Sequence, residues 1–411
     1  MRFLILNILL VNSLVFAGIS RPSGLESTTV LPKNIRNATF RMMLLPTYDK
    51  FNNLGQDVGT GDAFNRIVTI NDFIDGLDNE DDKVLLKSDL AVKGYNDLEA
   101  SAGNTTGVVN VSAVASVPVL AIGVSKKLTM AVAVPYINAD VKVDTGFVAS
   151  SLLKEYSKTL ESTKANKYDE ARSKSSNAVV RKVETYGYEP LKNKRITGIG
   201  DVKVIGKYLL SQSERISISM TNILTLPTGE EKNVDKLIDV PLGDGQVDAQ
   251  VGFGLGYRLN STFKAYLGSS YNYQFQDKLA ERIPEKSDSK LTPDVDANVE
   301  RKLGNQFMAQ FSLGMNLSDE FSISSGYVFQ HKQADKFNGS KFSQVRYDWL
   351  AVETEQSLSS LILVANFSTV NLYRSGSFMV PMQIGVSYGM ALAGKNTSKD
   401  NTTTFDLSLF F

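Results

Sequence analysis

The sequence predicts an all-β fold: a transmembrane antiparallel up-and-down β-barrel of about 12 strands, with long extracellular loops. Three observations predict it. The chain ends on Phe405-Asp-Leu-Ser-Leu-Phe-Phe411, with Phe405, Leu407, Leu409 and Phe411 on one side of a strand and Asp406 and Ser408 on the other. The same period-2 alternation recurs along most of the chain, while no apolar run of about 18 residues follows residue 17, which excludes spanning helices. The links between alternating segments are short and long by turns, as in a barrel with tight turns on one side of the membrane and loops on the other.

The N terminus is expected to be a signal peptide. Arg2 precedes an apolar stretch from Phe3 to Phe16, and Val15-Phe-Ala17 fits a small-residue cleavage site, leaving a mature chain from Gly18. Residues 18–37 then form a short periplasmic segment, and residues 38–411 form the barrel, with long loops at 51–106 and 144–195. Lys and Arg total 44, as do Asp and Glu, so there is no basic field for nucleic acid. With no Cys there is neither a disulfide framework nor lipid attachment through an N-terminal Cys.

Strands are predicted at 38–50, 107–124, 127–143, 196–210, 214–228, 246–259, 262–277, 304–317, 320–333, 357–372, 377–392 and 402–411. The alternation is clearest from Val247 to Leu259, where Val251, Phe253, Leu255 and Tyr257 oppose Gln250, Gly252, Gly254, Gly256 and Arg258. It resumes after Asn260-Ser261 with Phe263, Leu267, Tyr271 and Tyr273 opposed by Lys264, Tyr266, Gly268 and Asn272. Five links are short: Ser125-Lys-Lys, Ser211-Gln-Ser-Glu, Asn260-Ser, Ser318-Asp and Arg374-Ser-Gly. Residues 51–106 leave room for a further pair, so 14 strands is the alternative. Tyr136, Tyr208, Tyr257, Tyr271, Tyr273, Phe275, Tyr327, Phe329, Tyr388 and Phe411 fall near strand ends, as interfacial girdles do.

Side chains opposite the apolar positions are expected to line the lumen: Lys203, Lys207, Asp248, Gln250, Arg258, Lys264, Asn272, Gln274, Gln310, Gln383 and Asp406. A lining of mixed sign favours neutral solutes over either kind of ion. In 144–195, Leu152, Leu153, Tyr156 and Leu160 recur at helical spacing, predicting a helix that caps the mouth or lies solvated on it. The acidic stretch from Asp75 to Asp82 lacks the ligand spacing of a known calcium loop and reads as a solvated acidic segment. Chemistry has little to work with. His331 is the sole His, no nucleophile motif surrounds it, and no Cys or His cluster offers a metal site, so neither enzyme activity, cofactor nor metal is expected.

One segment carries a family likeness. Thr197-Gly-Ile-Gly-Asp-Val202 opens a strand, its hairpin partner ends in Leu226-Pro-Thr-Gly229, and Gly243-Asp-Gly-Gln-Val-Asp248 leads into the glycine-rich strand. This order resembles the outer-membrane proteins associated with MetA-pathway phenol degradation, which are similar to FadL-type hydrophobic-substrate transporters. The resemblance implies passive uptake of small hydrophobic or aromatic solutes across the bacterial outer membrane. The alternatives are a general hydrophilic porin and a non-transporting barrel whose loops bind surfaces or partners. The expected partners are outer-membrane lipid and lipopolysaccharide, a small-molecule solute, and the barrel assembly machinery, whose C-terminal signal the ending at Phe405, Leu407, Leu409 and Phe411 resembles. The Asn-Pro-Ala hatch of FadL-type transporters is missing from residues 18–37.

Overall fold

The computed structural model describes residue 19 and residues 24–47, 49–287, 289 and 291–411. The predicted signal peptide lies outside the described residues. Twelve antiparallel strands close into one barrel. They are β1 (Arg36–Thr47), β2 (Ser101–Gly123), β3 (Leu128–Ala133 and Tyr136–Ala149), β4 (Lys194–Ile199 and Val202–Gln212), β5 (Ile216–Leu226) and β6 (Asp248–Arg258). The second half comprises β7 (Phe263–Gln274), β8 (Gln306–Asn316), β9 (Phe321–Lys332), β10 (Gln356–Ser368), β11 (Met382–Lys395) and β12 (Thr402–Phe410). β1 closes the cylinder by pairing with β2 on one side and β12 on the other. Closure matters because an unpaired backbone edge in hydrocarbon leaves each N–H and C=O without a partner.

The outer face is apolar and uncovered. Leu120 is 64% exposed and Leu267 54%, and Phe40, Phe253, Phe311, Leu363, Ile384 and Leu407 are exposed beside them. Such a continuous belt needs lipid around it, and with the closed antiparallel barrel it places the chain in a bacterial outer membrane. All ten aromatics expected at the girdles are exposed on this surface. On β3 the outward positions pass from Met130, Val132 and Tyr136 to Asn138, Asp140 and Lys142. Asp140 pairs with Arg195 of β4 at 2.8 Å on the outer surface. The polar switch marks where the wall leaves the membrane.

Several predicted boundaries move. β2 starts at Ser101 and β3 runs to Ala149, so the loops span 48–100 and 150–193; the strands keep pairing above the lipid, from Gly103 opposite Ala149 to Ser116 opposite Tyr136. The region 51–106 supplies short strands and helices, not a further barrel pair. At the other end, the link between β10 and β11 is longer than Arg374-Ser-Gly. Residues Val370–Arg374 form a helical turn, and β11 begins only at Met382, after Pro381.

The long loops fold into a helical cap. The first gives α1 (Ile70–Asp75) and α2 (Glu80–Val92); the second gives α3 (Ser151–Ser157), α4 (Ser162–Ser176) and α5 (Ala178–Thr185). Thr69 and Asp72 form a reciprocal cap on α1, and Ser150 accepts from Leu153 N–H at the start of α3. Phe73, Leu86, Leu90, Leu153, Tyr156 and Tyr168 pack together against Phe147 at the top of β3. The acidic stretch finds lysines: Asp82 pairs with Lys167 at 2.7 Å and Asp78 with Lys174 at 2.5 Å, joining its end and the start of α2 to α4. Arg282 ties the second long loop to two further loops, donating to the carbonyls of Tyr186, Gly187, Val234 and Thr292 and to Asp235. Its guanidinium also stacks on Tyr188, 3.8 Å from the ring centre.

Candidate functional site

The lumen is crossed by the N-terminal segment. Residues 18–37 were expected beneath the barrel, but residues 24–31 run inside it. Ile19 donates its N–H to Gln356 at the extracellular end of β10, at 2.7 Å. Leu25 packs on Met308, Val328 and Ile362, inward side chains of β8, β9 and β10. Glu26 N–H donates to Gln310 Oε1 at 3.0 Å, and Lys207 donates to the Ser27 carbonyl. Thr28 and Ser217 share a hydrogen bond at 2.5 Å, and Leu31 N–H donates to Thr129 at 2.7 Å, at the periplasmic end. The segment holds no β-strand. Side chains anchor it, not the sheet ladder.

Glycines make the room. A Cβ on Gly254 or Gly268 would sit 2.6 or 2.5 Å from the hydroxyl of Tyr266, and one on Gly256 would sit 2.8 Å from Thr28. These inward positions stay bare so that Tyr266 can reach across the lumen and donate to Glu26 at 3.2 Å. Beneath that contact lies a cavity of about 960 Å³, lined among others by Glu26, Ser217, Arg258, Lys264, Ser312 and Ser324.

The extracellular side of the lumen is narrowed by the segment between β5 and β6. Val240 and Leu242 pack against Val109, Val111, Ile137 and Ala139 on the inner wall of β2 and β3. Asp201 holds this segment in place. Its carboxylate accepts from the N–H of Thr228 at 3.0 Å, Gly229 at 2.9 Å and Asp244 at 3.2 Å. Thr228 closes the knot by donating to the Gly200 carbonyl and accepting from Val202 N–H. Gly229 and Gly243 are so close that a Cβ on either would strike the other's backbone. The Gly-Asp, Pro-Thr-Gly and Gly-Asp-Gly elements of the sequence motif are thus one tertiary latch. Gly200 N–H also bonds the Pro135 carbonyl at 2.8 Å, at the level where β3 and β4 both break.

The side chains singled out as lumen positions occupy distinct places. Lys203 is buried among Asp201, Asp244 and Asp248. Asp248 accepts from Asn272 and Gln246, each at 3.2 Å. Gln274 is buried at the top of β7, and its carbonyl accepts from Lys302. Gln250 is half-buried below Asp248 on the same face of β6. Lys207 and Gln310 hold the N-terminal segment, as above. Gln383 donates to Asn366 at 3.2 Å, and Asp406 pairs with Arg41. Arg258 and Lys264 face the periplasmic cavity. Asp244 lies outside the strands; burial and then the charges of Asp248 and Asp201 push its carboxyl up to about 7. His331 sits half-exposed at the end of β9, 4.0 Å from Glu355.

Sequence reasoning missed Arg41, Glu26 and Asp201 as working residues. Arg41 could have been found, because it interrupts an apolar strand and needs a partner. Glu26 carries no such signal, since its neighbours show no periodicity.

No curated protein matches the chain in sequence. Among solved structures, an outer membrane channel from Pseudomonas putida F1 aligns with 11% identity over 93% of this chain and 98% of that one, with a TM-score of 0.52. The fold is therefore shared. A toluene transporter of Ralstonia pickettii (9% identity, 93% and 90% coverage, TM-score 0.34) and one of P. putida (8%, 93% and 91%, 0.35) align too loosely to carry weight. The family model described as "Putative MetA-pathway of phenol degradation" matches residues 88–353, which span β2 to β9 and hold the whole Asp201 latch. The chain belongs to that family.

Proposed function

We propose that this barrel is an outer-membrane channel through which small, apolar or aromatic solutes pass down their gradient. One observation carries the reading: the lumen holds a cavity of about 960 Å³ beneath a segment that is anchored by side chains alone. Moving that segment breaks no strand pairing, so the path can open at a cost of a few side-chain hydrogen bonds, each about 0.5–1.5 kcal/mol net, and the unpacking of Leu25. The family's association with phenol degradation supports an aromatic solute. Charges along the wall are largely matched, as around Lys203, which favours neutral molecules. No catalysis is assigned: His331 is the sole His and sits half-exposed at the end of β9.

A general porin fits less well, since residues 24–31 and the Val240–Leu242 stretch both fill the bore. The loop-binding alternative draws support from the cap, which has its own hydrophobic core. The deciding experiment is uptake of a neutral aromatic alcohol into proteoliposomes, alongside planar-bilayer conductance, for the intact barrel and a variant lacking residues 24–31. Uptake should exceed that of protein-free vesicles and rise in the deletion, with intermittent current becoming steady. Uptake no faster than through bare lipid, in both forms, sinks the channel reading.

A further inference from the structure

We infer that the cavity at the periplasmic end is a binding site for small organic carboxylates, whose anionic group is held between Arg258 and Lys264. These two residues stand directly opposite each other at the end of the β6–β7 hairpin and face the same cavity. Like charges at opposed positions repel, which disfavours this pair unless an anion lies between them. Among the described residues neither side chain has a hydrogen-bond acceptor or a carboxylate partner. Other cations that face the lumen are held. Arg41 is paired with Asp406, Lys332 with Asp335, and Lys207 is held by the Ser27 carbonyl.

The neighbouring wall makes room for Lys264. Gly314 leaves room for the lysine stem, since a Cβ there would come within 2.7 Å of Lys264 Cε. Ser312 and Ser324 offer hydroxyls on the adjoining wall. The carboxylates that reach the cavity are placed elsewhere: Glu26 is engaged by Tyr266, while Glu214 and Asp319 lie on the periplasmic turns at its rim. A guanidinium and an ammonium at opposed positions of one hairpin, both lining the same cavity, suit one carboxylate, the first as a fork and the second as a point charge. The ring of Tyr266 and the side chain of Leu25 offer apolar surface to the rest of the solute. The volume of about 960 Å³ admits a molecule of single-ring size with water around it.

The assignment rests on the channel reading for the solute's route, and its test separates the two. Binding of labelled benzoate to the full folded barrel in detergent would be measured by equilibrium dialysis. The variants are R258Q, K264Q and the double variant, with folding checked by heat-modifiable gel mobility. Saturable binding is expected, weakened about tenfold or more in the double variant, the scale of losing one charge-assisted bond. R258K should retain most of it if R258Q misfolds. Benzyl alcohol and benzamide should compete at least about tenfold more weakly, since each lacks the charge. Binding that is absent, or unchanged in the folded double variant, overturns the inference, as does displacement by inorganic phosphate at equal concentration. Uptake of the neutral alcohol by the same double variant reports on the channel alone. If that uptake persists while benzoate fails to bind, only the carboxylate site is refuted.

Discussion

Arg41 on β1 and Asp406 on β12 form a two-pronged ion pair across the closing seam, inside the barrel. Nε lies 2.6 Å from Oδ1 and Nη2 lies 2.5 Å from Oδ2, with the arginine side chain 2% exposed. The two residues are direct partners in the ladder. A slip of one residue would turn either one toward lipid, so the pair holds the seam in its register. Asp406→Ala removes the carboxylate partner of a buried guanidinium and should cost about 3–5 kcal/mol. The urea midpoint of the vesicle-folded barrel measures this, and an unchanged midpoint would refute it. Replacing both residues by apolar ones should restore part of the loss.

The Asp201 latch makes a second prediction. Asp201→Ala removes the acceptor for three backbone N–H groups. A hydrogen bond to a charged group is worth about 1.5–3 kcal/mol. Amide exchange at Thr228, Gly229 and Asp244 should accelerate at least about tenfold, while amides in β8 and β9 stay protected. Equal acceleration throughout the barrel would mean that Asp201 serves the whole fold and not this segment.

The cap should loosen in acid. Burial opposes ionisation of Asp89, but hydrogen bonds from Lys164, Lys93 and Tyr156 outweigh it and hold the carboxyl at about 2, below its ordinary 3.8. Because the folded value is depressed, the stability it contributes is present above pH 3.8. It is lost as the pH falls through about 2. Limited proteolysis of the α1–α4 region should therefore rise between pH 4 and pH 2 while the barrel stays intact. Asp89→Asn should be cleaved readily even at pH 7. Resistance of that variant at neutral pH would show that the apolar core suffices without the carboxylate.

Asp244 should act with the opposite sign. Its carboxyl is raised from 3.8 to about 7, so the folded state favours the protonated form. Stability is therefore greatest below pH 3.8 and declines as the pH rises through about 7, where the charge must sit beside Asp248 and Asp201. Exchange of amides between β5 and β6 should be slower at pH 5.5 than at pH 8, after correction for intrinsic rates. Asp244→Asn should flatten that difference. A profile in the variant identical to that of the parent would assign the titration to another group.

How much of this was legible beforehand follows from the range of each interaction. Twelve strands, the apolar outer face and the inward placement of Lys207, Asp248 and Asp406 follow from alternation, because lipid and lumen sort neighbouring side chains residue by residue. That period is local, and the sequence by itself determined it. The helix Ser151–Ser157 was readable for the same reason, although Leu160 falls beyond its end. The occupied lumen was not. Residues 24–31 have no period, and their partners lie far off, Ser27 being 180 positions from Lys207 and Glu26 being 284 from Gln310. The glycines of β6 read as bare inward positions, yet only the reach of Tyr266 from β7 explains which space they keep. Likewise Gly-Asp, Pro-Thr-Gly and Gly-Asp-Gly were recognisable as turn formers, while the role of Asp201 appears only when three separate segments meet around its carboxylate. Tertiary structure alone decided which polar groups are satisfied, since that depends on distances the chain sets by closing on itself. It paired Arg41, engaged Glu26, and set Arg258 opposite Lys264 at the rim of one cavity.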